Sequence, residues 1–88
     1  MTMKDMKCGM LARSLAGHDR NTLYLICRIE GDFVYLCDGR LKKWENPKKK
    51  NCRHIQIIKQ IPGELEEWRG EVLKNEEIRA ILKKYEEV

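Results

Sequence analysis

The spacing of turn signals through the first sixty residues constrains this chain more than any other feature. Thr22 to Glu30 is rich in β-formers (Thr22, Tyr24, Ile26, Ile29), Phe33 to Cys37 is a second apolar run, and only Gly31-Asp32 separates them. Two such runs joined by two residues of this kind read as an antiparallel hairpin. Asp38-Gly39 turns the chain again. Upstream, Cys8 to Leu15 reads as a first strand and Ala16-Gly17-His18-Asp19-Arg20-Asn21 as a turn. Gly17 and Asn21 are the residues in that turn best able to take φ > 0. Leu41 to Glu45 reads as a short strand carrying Trp44. His54-Ile55-Gln56-Ile57 alternates polar and apolar residues, and His54 to Ile61 closes the set.

Five short strands at roughly ten-residue spacing predict a mainly β fold, a small SH3-like antiparallel barrel. Closure would remove exposed strand edges. The barrel is expected over residues 1–61 and a helical C-terminal extension over 62–88. Pro62-Gly63 breaks the last strand, and Leu65, Trp68 and Val72 then fall at helical spacing within Glu64 to Leu73. Gly70 and Asn75 interrupt that stripe. Asn75 is a good N-cap for Glu76-Glu77, and Ile78, Ile81, Leu82 and Tyr85 form one apolar face. That face is expected to pack on the barrel, or else on a partner protein.

At 88 residues the chain suits one small domain with little area for a deep cleft. Met1 to Lys7 is polar and unpatterned, which predicts a frayed start. Met1 to Met10 lacks the apolar segment of a signal peptide, and no apolar run approaches the roughly 20 residues of a membrane span. A soluble, cytoplasmic protein without a membrane partner is expected.

Charge is unevenly distributed. The net charge is +4, but residues 1–63 carry thirteen Lys and Arg against six Asp and Glu, whereas residues 64–88 carry five against eight. The basic excess concentrates between Asp38 and Gln56, which reads as a loop held at both ends, with Asn46-Pro47 a second turn. Arg40, Lys42, Lys43, Lys48, Lys49, Lys50 and Arg53 can neutralise backbone phosphates, each contact releasing condensed counterions. Asn51 and His54 can add hydrogen bonds. His18 and Arg20, in the first turn, are expected on the same rim because barrel loops gather at two ends. The plainer reading is a solvated lysine loop. The acidic helix is a poor nucleic-acid reader and receives no such role.

Other chemistry is weakly supported. Cys8, Cys27, Cys37 and Cys52 lack the close spacing of zinc knuckles and read as structural thiols, so no metal and no cofactor is expected. His18 with Asp19, and His54 with Cys52, are the pairs that suggest catalysis, but neither comes with an orienting group and a concave site. A non-enzymatic protein is expected. Tyr24, Phe33 and Tyr35 fall in strands, where core or cross-strand packing is favoured over base stacking. Trp44 is the aromatic with the best chance of meeting a ligand.

Together, the turn at Gly17 to Asp19, Asp38 to Arg40, Pro47 to Asn51, and His54 ahead of Ile55 resemble a KOW module. The resemblance is strongest to small bacterial KOW-domain RNA-binding proteins, themselves similar to the N-terminal domain of certain archaeal and eukaryotic large-subunit ribosomal proteins. It covers roughly residues 8–60 and departs at Asn21, where many KOW modules carry glycine. It implies an SH3-like barrel and association with RNA, most of all ribosomal RNA or the ribosome in translation. The alternative is a protein-interaction module of the translation or transcription machinery, docking through the barrel or the helix.

Overall fold

A computed structural model describes residues 6–86. Five strands run β1 (Leu11–Ser14), β2 (Leu23–Glu30), β3 (Phe33–Cys37), β4 (Lys48–Asn51) and β5 (Ile55–Ile58), followed by one helix, α1 (Asn75–Glu86). They form a single antiparallel sheet in the order β4-β3-β2-β1-β5. Gly31-Asp32 makes the expected two-residue reversal between β2 and β3. Asn21, at φ 74°, is the one non-glycine residue with positive φ among the described residues, and Gly17 lies at φ 85°. Both turn residues thus adopt the conformation their chemistry favours.

Both faces of the sheet are apolar, which explains why β2 is buried continuously from Leu23 to Ile26. Met6, Met10, Ala12, Tyr24, Ile26, Val34, Leu36, Ile55 and Ile57 fill the inner face. Val34 and Leu36 on β3 share this cluster with Ile55 and Ile57 on β5, although two strands lie between them, so the sheet is strongly curved. Met6 belongs to this core rather than to a frayed start; residues 1–5 lie outside the described residues. On the outer face Leu11, Leu23, Leu25 and Cys37 pack against Leu65, Leu73, Ile78, Ile81 and Leu82. The helix therefore packs on the sheet through the face that periodicity predicts. A bulge at Cys27 shifts the β2–β3 register, and the Cys27 and Cys37 sulfurs are in contact, so these two cysteines are paired rather than separate structural thiols.

Several sequence expectations are corrected. The sheet remains open, because no ladder joins β4 to β5; a single 3-10 turn, Cys52–His54, carries the chain between the two edges. Leu41 to Glu45 is not a strand. Its main-chain groups are engaged elsewhere: the Lys42 carbonyl accepts from the Asp38 and Gly39 amides, and the Trp44 amide donates to Asn75 Oδ1. Lys48 to Asn51, expected as loop, is strand β4 instead. Glu64 to Leu73 forms only a 3-10 turn at Gly63–Leu65. Gly70 takes φ 91° there, Val72 is 75% exposed, and Leu73 is the residue that enters the core. Asn75 turns its side chain to Trp44 and Glu45, and Glu77 Oε1 instead accepts from the Lys74 amide, the reach-back half of a capping box.

Candidate nucleic-acid interface

The cationic stretch is divided by strand alternation. Lys48 and Lys50 stand opposite Leu36 and Val34, so both project to the inner face; Lys49 stands opposite Tyr35 and projects outward. At the inner face lies Asp19, whose side chain is only 12% exposed. Its Oδ1 accepts from Lys50 Nζ at 2.7 Å and Ser14 Oγ at 2.9 Å. Its Oδ2 accepts from Tyr24 Oη and Lys48 Nζ, both at 2.9 Å. Burial alone would raise the Asp19 pKa, but the hydrogen bonds from Lys50, Lys48, Ser14 and Tyr24 outweigh it and hold the carboxyl well below the usual range. Burial pushes the Tyr24 phenol up, and the hydrogen bond to Asp19 and the charges of Asp19 and Asp38 add to it.

Lys50 has no donor left. Beyond Asp19 its ammonium reaches Ser14 Oγ at 2.7 Å and the Ala16 carbonyl at 2.9 Å, which uses all three N–H groups. It ties edge strand β4 to the end of β1 by side chain. The β1–β2 loop is further closed by main-chain bonds from Asn21 to Ser14 and from Thr22 to Asp19. The loop is consequently rigid, with His18 and Arg20 exposed on it.

On one side of this loop the Leu15 amide donates to the His54 carbonyl at 2.8 Å, which places the 3-10 turn alongside. Asn51 Oδ1 accepts from the Arg53 amide at 2.9 Å and so starts that turn, leaving Arg53 and His54 exposed. On the other side, Asn21 and Arg40 both line a cleft of about 420 Å3 that also meets Asp38, Arg79, Lys83 and Glu86. Asp38 is occupied in the turn, accepting from the Arg40 and Lys42 amides. His18, Arg20, Arg40, Arg53 and His54 therefore belong to three adjoining loops.

The remaining predicted residues lie farther along the β3–β4 connection that carries Arg40 or on the strand after it. Lys42 and Lys43 are in the β3–β4 connection, which leans on the start of α1 through Trp44. Lys49 lies on the outer face, its Nζ 4.5 Å from the centre of the Phe33 ring. Trp44 is partly buried on the outer core and meets Trp68 edge to face. Of the pair His18 and Asp19, the carboxylate oxygens of Asp19 accept from Ser14, Lys50, Tyr24 and Lys48. Sequence reasoning missed the hub formed by Ser14, Asp19 and Tyr24, and did not place Arg79 and Lys83 beside Arg40 at the cleft. Alternation across Lys48-Lys49-Lys50 was the available signal for the hub.

Neither a scan against protein-family models nor a search of curated proteins returns a match to this chain.

Proposed function

We propose that this protein is a non-enzymatic RNA-binding domain of SH3-like, KOW-type architecture that docks on structured RNA, ribosomal RNA above all, in the cytoplasm. The observation that carries the reading is that exposed Arg20, Arg40 and Arg53 stand on three adjoining loops, the first of them tied to β4 through Asp19 and Lys50. Guanidinium groups on a rigid rim suit bidentate contact with phosphate oxygens. Such contacts give affinity with little sequence preference. Lys42, Lys43 and Lys49 extend the positive surface, and Arg79 and Lys83 continue it past Arg40. Lys48 and Lys50 act by positioning the loop, and Asn51 and His54 set the 3-10 turn. The curved sheet, the tight β2–β3 hairpin and the one-turn β4–β5 passage support the architecture; the KOW-like sequence pattern supports the RNA assignment.

The test is RNA binding by fluorescence anisotropy over a salt series, wild type against Arg20/Arg40/Arg53→Ala. About four phosphate contacts predict a slope of log affinity on log salt near −3 to −4, flattened in the variant. A second reading, a protein-docking module, draws on Leu41 and Val72, apolar side chains that stand 88% and 75% exposed. It predicts sensitivity to those two residues and indifference to the arginines.

A further inference from the structure

The outer face of β2, β3 and β4 beyond the helix carries an arrangement the loop rim does not use. Cross-strand register sets Arg28, Tyr35 and Lys49 in one row, with Glu30, Phe33 and Asn51 in the next. The helix and the segment before it cover Leu11, Leu23 and Leu25 but stop short of these rows, leaving Phe33 38% exposed and Tyr35 half-buried. Both rings make cross-strand contacts, as strand alternation favours, while keeping part of their surface open. The Arg28 guanidinium carbon lies 4.3 Å from the Tyr35 ring centre, and Lys49 Nζ is over Phe33. Beside Tyr35 a cleft of about 270 Å3 opens between Tyr35 and Trp44, with Cys27, Arg28, Glu45 and Pro47 around it.

We propose that this face is a stacking platform for the unpaired bases of a single-stranded RNA segment, an inference that rests on the RNA-binding reading and extends it to a second surface. An unpaired base offers two bare π-faces; a duplex hides them. Tyr35 and Phe33 stand two residues apart along β3; the Arg28 guanidinium of β2, lying over the first ring, offers its own plane to a base, and Lys49, over the second, moves to an intervening phosphate as a base takes its place. Two acids share the face: Glu30, directly across from Phe33, is 3.8 Å from Arg28 in a loose surface pair, and Glu45, beside the cleft, is held by Asn75 Nδ2 at 3.0 and 3.2 Å. The platform and the rim together would seat an RNA whose helix meets the loops and whose unpaired strand crosses the sheet.

The experiment uses the full chain with a short single-stranded RNA carrying 2-aminopurine, and a duplex of the same length as comparison. Binding to wild type should quench the 2-aminopurine, because stacking quenches it. Tyr35→Leu with Phe33→Thr should weaken single-strand binding by about 5- to 100-fold at unchanged salt slope. Lys49→Ala should reduce the slope by about 0.7. Circular dichroism establishes that the variants fold, and the wild-type quenching serves independently of them. Saturating binding without quenching, or unchanged affinity in the folded aromatic variant while Arg20/Arg40/Arg53→Ala loses affinity, overturns the platform and leaves the rim standing. Failure of wild type to bind either RNA overturns both. Binding of an acidic peptide in place of RNA likewise overturns the platform as a base-stacking site.

Discussion

Lys50 Nζ lies 2.7 Å from Asp19 Oδ1, joining the outermost strand of the sheet to the loop between its first two strands. The Lys50 side chain is 9% exposed, so an apparent surface lysine is a buried cation with its counterion. Buried ion pairs add little over apolar packing, but breaking one leaves an uncompensated charge. Asp19→Ala should destabilise the fold by about 3–5 kcal/mol, because both Lys48 and Lys50 lose their carboxylate. Urea denaturation measures it. A loss below about 1 kcal/mol would place the pair among ordinary surface salt bridges.

Acid should act through the same carboxylate. Asp19 has a folded-state pKa depressed below its unfolded value of roughly 4. Its stabilising contribution is therefore complete above that unfolded value and is lost as pH falls toward the folded pKa. Thermal melts from pH 7 down to pH 2 should show the midpoint falling below about pH 4 in wild type, and falling less in Asp19→Asn.

Gly39 marks where the β3–β4 turn meets the helix. It lies at φ 76°, and a Cβ there would collide with the Asn75 carbonyl oxygen and press on Arg79, whose Nη1 donates to the Gly39 carbonyl at 2.6 Å. Gly39→Ala should cost more than about 2 kcal/mol, through left-handed strain plus the clash. Gly31→Ala, with φ 57° and open space around it, should cost about 1 kcal/mol, from strain alone. Chemical denaturation of the two variants side by side measures the difference.

The lysine triplet should separate by position. Lys50→Ala is expected to lower stability and, once the protein is folded, to weaken RNA binding only through the loop it holds. Lys49→Ala is expected to leave stability within about 0.5 kcal/mol of wild type, as exposed positions do, and to lower RNA affinity directly. Paired denaturation and anisotropy measurements on each variant distinguish the two.

How much of this was legible beforehand depends on which physical signal each residue carries. Local chemistry was readable: Gly31-Asp32 makes its reversal, Asn21 takes positive φ, and Ile78, Ile81 and Leu82 bury one helical face. The failures occurred where a tertiary partner decided the outcome. Lys48-Lys49-Lys50 looks like a solvated loop until Asp19, thirty residues away in sequence, is brought beneath it. Leu41 to Glu45 has strand-like composition, yet its amides and carbonyls go to Asp38 and Asn75. Leu65, Trp68 and Val72 have helical spacing, but Gly70 takes a left-handed conformation and hands the buried position to Leu73. Arg20, Arg40 and Arg53 are exposed, and the adjoining of their loops follows the gathering of loops that a curved sheet leads one to expect.

The most direct measurement is the salt dependence of binding to structured ribosomal RNA, comparing wild type with Arg20/Arg40/Arg53→Ala at equal folded fraction. The account predicts a wild-type slope near −3 to −4 for about four phosphate contacts, and a shallower slope with weaker binding in the variant. Identical slopes and affinities for the two proteins, or no salt-dependent binding by wild type, would contradict the assignment of the loop rim to RNA.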